Sequence, residues 1–217
     1  MKTVTSREMF EIERQAIDIY GIPTSVLMEN AARCVAETIL KDFRFMKNER
    51  IAVLAGKGNN GGDGFAAARY LFNASPKSLT VFCPEASSIK SGTAKTNHDI
   101  IRKMGIEIKL LNEFLNEDIK NFTICVDALF GIGFSGELLG DYALIGEKVN
   151  RSFLKCYAVD VPSGLDASTG IASKNCLKSC KTITFGLAKT GFYSNDGPKV
   201  CGEILIKDIG FPKILLQ

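Results

Sequence analysis

The chain has 217 residues, a length for one domain that can bury most of its surface around a single core. Its composition, 46% hydrophobic and 24% charged, is that of a folded globular protein and excludes a disordered chain. The net charge of +3 lacks the strong basic bias of a dedicated nucleic-acid binder but leaves room for a local anion site.

The N-terminus, residues 1–8, has no apolar run that would mark a secretory signal. Thr5 and Glu8 have capping-box spacing, and Met9, Ile12, Ala16 and Ile19 keep a helical stripe. Gly21-Ile22-Pro23 breaks that helix. Ser25 is the expected cap of a second helix, which carries Leu27, Met28, Ala31, Ala32, Val35, Ala36 and Ile39. The first strand is expected at residues 51–55, and a helix at 64–72. A strand at 79–83, a helix at 93–104 and a short strand at 106–110 come next. The apolar run 122–129 reads as a strand, 142–153 as a helix and 156–161 as a strand. Strands at 181–185 and 203–206 follow, with no convincing helix between them. Strands apolar throughout are buried on both faces, and alternation with helices makes them mostly parallel. The fold class is therefore α/β, a mostly parallel sheet covered on both sides and preceded by two helices. No repeat, linker or low-complexity tract divides residues 1–217, which are taken as one domain. No apolar stretch approaches the ~20 residues of a membrane span.

The cysteines at 34, 83, 125, 156, 176, 180 and 201 are odd in number and several lie in apolar runs, so reduced thiols of a cytoplasmic protein are expected. Cys176 and Cys180 with the lone His98 lack the four ligands of a zinc site.

Parallel sheets bind ligands beyond the carboxyl ends of their strands. After the first strand stand Gly56, Gly58, Gly61, Gly62 and Gly64, a glycine-rich segment that permits tight turns and close backbone approach. It opens a helix whose free N–H groups favour anions, with Asp63 a plausible N-cap. Gly56, Gly58 and Gly61 also match G-x-G-x-x-G, and Glu85 stands roughly where a dinucleotide fold places its ribose acid; alone that pattern is weak. Lys57 comes too early for a phosphate-binding Walker loop. After a middle strand, Asp127 sits in an apolar run ahead of a second glycine loop. After the next, Asp160 is followed by Val161-Pro162-Ser163-Gly164. A buried carboxylate is costly unless paired, hydrogen-bonded or bound to a cation. Two such acids beside an Asn-Asn-Gly segment point to a convergent polar site. Its oxygen donors suit a hard cation, and a monovalent ion fits at least as well as magnesium.

These segments resemble the NAD(P)H-hydrate epimerase family. The likeness is carried by Leu27-Met28-Glu29-Asn30-Ala31, residues 58–64, Val126-Asp127-Ala128-Leu129-Phe130-Gly131 and Asp160-Val161-Pro162-Ser163-Gly164, and extends through Thr184-Phe185-Gly186, Lys189-Thr190-Gly191 and Asp208-Ile209-Gly210. It runs from about residue 5 to 211. It implies a Rossmann-like three-layer fold and an isomerase that interconverts the R and S epimers at C6 of hydrated NADH or NADPH, repairing a damaged cofactor. It implies substrate contacts at Asn59, Asn60, Gly61, Gly62 and Asp63, at Gly131, Ile132, Gly133, Phe134, Ser135, Gly136 and Glu137, and at Asp160. It also implies a potassium site of Asn60, Asp127 and Ser163. The partner reaction is that of an S-specific dehydratase, separate or fused; the chain ends soon after Phe211-Pro212, so no dehydratase domain is expected in it. Homodimers are common among such proteins. Some relatives carry lysine where Ser135 stands, so no role of that lysine transfers. Asp160 is the expected catalytic carboxylate, against the alternative that it only binds a ribose hydroxyl. Two rival readings remain: a Rossmann oxidoreductase, for which no Tyr-x-x-x-Lys pair is found, and a non-catalytic scaffold of the same fold.

Overall fold

The computed structural model describes residues 2–217. Strand β1 (Thr3–Val4) leads into α1 (Ser6–Asp18) and α2 (Thr24–Asp42). Then follow β2 (Arg50–Ala55), α3 (Asn59–Asn73), β3 (Ser78–Cys83), α4 (Thr93–Lys103), β4 (Glu107–Leu110) and β5 (Ile124–Ala128). The second half contains α5 (Asp141–Asn150), β6 (Lys155–Val159), β7 (Lys181–Phe185), β8 (Ala188–Lys189), α6 (Gly197–Val200) and β9 (Glu203–Lys207). Seven strands form one parallel sheet in the order β4-β3-β2-β5-β6-β7-β9, and β1 pairs with β8 in a separate parallel ribbon.

The two-residue period of the strands divides the core between the faces. Ile51, Val53 and Ala55 of β2 join Val81, Val126 and Val159 against the helical layer of α1 to α4. Ala52 and Leu54 point the other way, with Phe82, Cys125 and Cys156, under Ile145 and Val149 of α5 and the 3₁₀ turn Leu111–Leu115. The result is the three-layer parallel α/β fold read from the sequence. Its two leading helices are in place, and α1 begins with the complete Thr5/Glu8 capping box. Ser25 does not cap α2: the cap position lies two residues earlier, at Pro23, with no side-chain cap bond. The fixed φ of Pro23 presets the helix entry without one. All seven cysteines are free thiols, and His98 is buried edge-on against Phe65 with Nδ1 3.3 Å from Asp99. Among the described residues no helix is long and apolar enough to cross a membrane.

The chain winds outward from β2 to β3 and β4, then crosses back to lay β5 on the other side of β2. This reversal separates the connections leaving β2 and β5 and opens a crevice between them at the carboxyl edge.

Candidate functional site

That crevice is a cleft of ≈ 380 Å³. Its floor is the start of α3, the segment after β5 and the turn after β6; α1 and α2 form its apolar wall through Met9, Phe10, Leu27 and Met28. Lys57 and Lys90, both exposed, stand on its rim, and the Lys90 amide donates to the Lys57 carbonyl at 2.8 Å.

The glycine-rich segment is helix sooner than expected. α3 begins at Asn59 with Gly58 as N-cap, so Asp63 is not the cap but lies inside the helix. Close packing explains why glycine is needed there. A Cβ on Gly61 would fall 1.9 Å from the Gly56 carbonyl oxygen, on Gly62 2.6 Å from the Met28 methyl, and on Gly64 2.6 Å from the Ala128 Cβ. Tertiary contact outweighs the low helix propensity of these residues. Gly61 and Gly62 therefore face the protein, whereas Asn59, Asn60 and Asp63 line the cleft. The Gly58 cap supplies no side-chain hydrogen bond, leaving the first amides of α3 open to an anion.

After β5, Gly131, Ile132, Gly133 and Phe134 also line the cleft, with Phe130 packed 4.8 Å from Tyr142 and 5.3 Å from Phe134 between ring centroids. Ser135, Gly136 and Glu137 do not line it. Glu137 instead accepts from Ser173 Oγ at 2.8 Å and from the Lys174 amide at 3.1 Å, fastening this loop to its neighbour. Glu85 is outside the cleft as well, on a separate hollow beside His98.

Asp127 is 0% exposed. Its carboxylate accepts from the Ser163 hydroxyl at 2.5 Å, the Ser163 amide at 2.8 Å and the Leu129 amide at 3.3 Å. Burial nonetheless raises its pKa to about 6, the Ser163 and Leu129 bonds opposing the rise. Ser163 Oγ also accepts from the Phe130 amide at 2.9 Å, bringing the turn after β6 against the loop after β5. Asn60 completes the group from α3: its Cγ and Oδ1 lie 3.3 Å from the point a Gly131 Cβ would occupy, and its Nδ2 is buried without a partner. Turned over, the amide, whose N and O are equivalent in shape, would present an oxygen at that position instead. An amide oxygen, a hydroxyl and one buried carboxylate are a donor set that fits a monovalent hard cation, whose charge would offset that of Asp127.

Asp160 follows β6 with φ +63°, a left-handed conformation unusual for a non-glycine residue, and its amide is held by the Ile183 carbonyl at 2.7 Å. Its Oδ1 accepts from Thr184 Oγ1 at 2.9 Å and from Lys189 Nζ at 2.7 Å. Two further carboxyls enter the same cleft. Burial raises Asp63 well above the usual carboxylate range, with Asp160 and Glu13 adding to the rise. Glu13 of α1 is raised by burial and then by Asp160, against the opposing pull of Lys90 and Lys189. Three carboxyls thus share one cleft, and burial raises the pKa of two of them, Asp63 and Glu13, an arrangement general acid–base chemistry uses.

Sequence reasoning missed Lys189, Glu13, Lys57 and Lys90. Lys189 lay within one of the resembling segments, but its partner is 29 residues away and no local period links them. Glu13 is one acid among several on α1, and only docking of that helix over the sheet singles it out.

A family model described as YjeF-related protein N-terminus matches residues 24–191. The "NAD(P)H-hydrate epimerase" of Elusimicrobium minutum is 37% identical over 225 residues, covering 100% of this chain and 99% of that protein. The "Bifunctional NAD(P)H-hydrate repair enzyme Nnr" of Moorella thermoacetica is 38% identical over 222 residues, and the chain spans 42% of its length. The same fraction holds for the bifunctional relative from Thermofilum pendens, at 34% identity. The crystal structure of yeast ynu0 superposes with a TM-score of 0.78 at 25% identity, covering 88% of this chain and 83% of that one.

Proposed function

The chain belongs to the YjeF-related protein N-terminus family, and from that premise we propose that it is an NAD(P)H-hydrate epimerase. It interconverts the R and S epimers at C6 of hydrated NADH and NADPH, and a separate or fused S-specific dehydratase consumes the S form. The observation that carries this reading is the cleft at the sheet's reversal point, lined by a helix N-terminus without a side-chain cap and by a cluster of carboxyls. Full-length likeness to a protein named as this epimerase supports it.

In this reading the open amides at the start of α3 take the substrate's phosphates, with Lys57 and Lys90 adding positive charge at the rim. Asn59, Asn60, Asp63 and residues 131–134 surround the nucleotide. Gly61 and Gly62 serve by letting α3 approach, and residues 135–137 by holding the loop. Asn60, Asp127 and Ser163 would hold potassium, which would supply a positive charge to offset that of the Asp127 carboxylate.

The C6 hydroxyl is inverted by one of two routes. Expulsion by the ring-nitrogen lone pair gives a planar iminium that water attacks from the opposite face; this needs an acid for the departing oxygen and negative charge near the cation. Removal of the hydroxyl proton instead opens the C–N bond to an aldehyde, and reclosure inverts the centre. Asp160, with one oxygen not taken up by Thr184 and Lys189, is the residue assigned to acid–base work, a contribution of typically ~10²–10⁴-fold.

The test is to incubate the protein with purified R-hydrate and follow S-hydrate by chromatography. Formation of S-hydrate above the spontaneous rate is expected; its absence overturns the reading. Oxygen-18 at C6 separates the routes. Loss of label in step with epimerisation marks the iminium, and retention over many turnovers marks ring opening.

A further inference from the structure

Lys189 is the most deeply buried charge in the cleft wall, at 1% exposure. An ammonium has three N–H donors and no acceptor. All three are used: Asp160 Oδ1 at 2.7 Å, Thr184 Oγ1 at 2.7 Å and the Phe185 carbonyl at 3.1 Å. Lys189 therefore has no donor left for a substrate. Its hydrogen-bonded route to a bound molecule is therefore through the Asp160 carboxyl. Thr184 also donates to Oδ1, so this oxygen takes two hydrogen bonds while Oδ2 takes none among the described residues.

The surroundings hold this arrangement from several directions. The left-handed backbone of Asp160 is strained for a residue with a side chain, and such strain persists only where neighbours over-determine it. The Asp160 amide is anchored to β7 at Ile183, and Thr184 is the next residue of that strand. Lys189 comes from β8, which is fixed in register by β1, with Thr3 opposite Ala188 and Val4 opposite Lys189. The N-terminal ribbon thus braces the lysine that braces the carboxylate.

We propose that Lys189 is the positioning residue of the site: it pins the Asp160 carboxyl, occupies Oδ1 together with Thr184, and leaves Oδ2 as the single oxygen offered to the reacting carbon's hydroxyl. The inference rests on the epimerase reading. Lys189 itself exchanges no proton with substrate. It orients the group that does.

The test is a double-mutant cycle on turnover of purified R-hydrate, with NADPH binding measured separately by calorimetry. Lys189→Met is expected to lower kcat about 100-fold. It should change KM less than about threefold and leave NADPH affinity near wild type, because the loss falls on the reacting end alone. Asp160→Asn should show a similar loss. Adding Lys189→Met to Asp160→Asn should then lower turnover no further, since the lysine has lost the group through which it acts. A double variant about tenfold or more below Asp160→Asn overturns the inference, as does a Lys189→Met loss confined to KM. The single lysine variant leaves a carboxylate unpaired and can fail to fold. Asp160→Asn in turn leaves the lysine's charge unpaired, whereas the double variant carries neither charge and decides the question by itself if a single variant does not fold: its turnover is expected about 100-fold below wild type, and a loss of about 10⁴-fold, the product of two independent losses, overturns the inference. A wild type inert toward the hydrate overturns the proposed function and this inference with it; an active wild type with multiplying losses overturns the inference alone.

Discussion

The open start of α3 makes stability and binding compete at one residue. Gly58 is the N-cap, in an extended conformation with φ −96° and ψ −161°, and has no side chain to accept from the amides of the first turn. A Cβ at this position meets nothing within 4 Å. Gly58→Asp therefore fits without strain and adds the missing cap. A capping carboxylate at a helix N-terminus is worth about 1 kcal/mol. For a chain of this size that raises Tm by about 2–4 °C. The same carboxylate occupies the amides assigned to the substrate's phosphates and repels them. Loss of one charge-assisted hydrogen bond, about 1.5–3 kcal/mol, weakens nucleotide binding by about 10–100-fold. Thermal melts and calorimetric titration with NADPH measure the two effects on one sample. Gly58→Ala is the control: it leaves the amides open, so affinity should stay within about twofold of wild type, with a stability cost of at most about 1 kcal/mol. A Gly58→Asp protein that melts higher and binds NADPH as well as wild type would refute the placement of the phosphates at α3.

Asp127 links ion binding to pH. Its folded pKa of about 6 lies above the ordinary 3.8. The folded state binds the proton more tightly, so the stabilisation present below pH 3.8 is lost as pH rises through 6, a swing of about 3 kcal/mol before any cation binds. Potassium should recover part of it: at 100 times its Kd it adds about 2.7 kcal/mol, several degrees in a melt at pH 8 and much less at pH 5. Equal melting in potassium and N-methylglucamine chloride at pH 8 would remove the ion from the site. Gly61→Ala places a Cβ 1.9 Å from a backbone oxygen; an overpacking cost of about 1–3 kcal/mol should lower Tm by several degrees, while the open Gly58 tolerates the same methyl. For Asp63, whose pKa is raised by burial and by its acidic neighbours, ionisation opposes folding. Asp63→Asn should gain stability over wild type as pH rises, read as a growing Tm difference between pH 4 and pH 8; a difference that shrinks would contradict the assignment.

Much of this protein is written locally. The Thr5/Glu8 capping box, the strands around Ile51, Val81, Cys125 and Ile183, and the acids ending two buried strands are set by residue type and short-range period, because they depend on neighbours within one turn or one pleat. The glycine segment was legible as special but not as helix. Its glycines look like a loop until Gly56, Met28 and Ala128 are seen pressing against it. The place of Glu137 outside the cleft was likewise fixed by Ser173 and Lys174, more than 30 residues away. The pairing of Asp160 with Lys189, the entry of Glu13 into the cleft and the contact of Ser163 with both Asp127 and Phe130 were decided by the crossing from β4 back to β5 and by the docking of β1 on β8. Such contacts carry no spacing that a single chain could display, since they join elements distant in sequence. They exist only after burial has fixed which strand lies beside which, and it is the same burial that makes each of these charges require a partner.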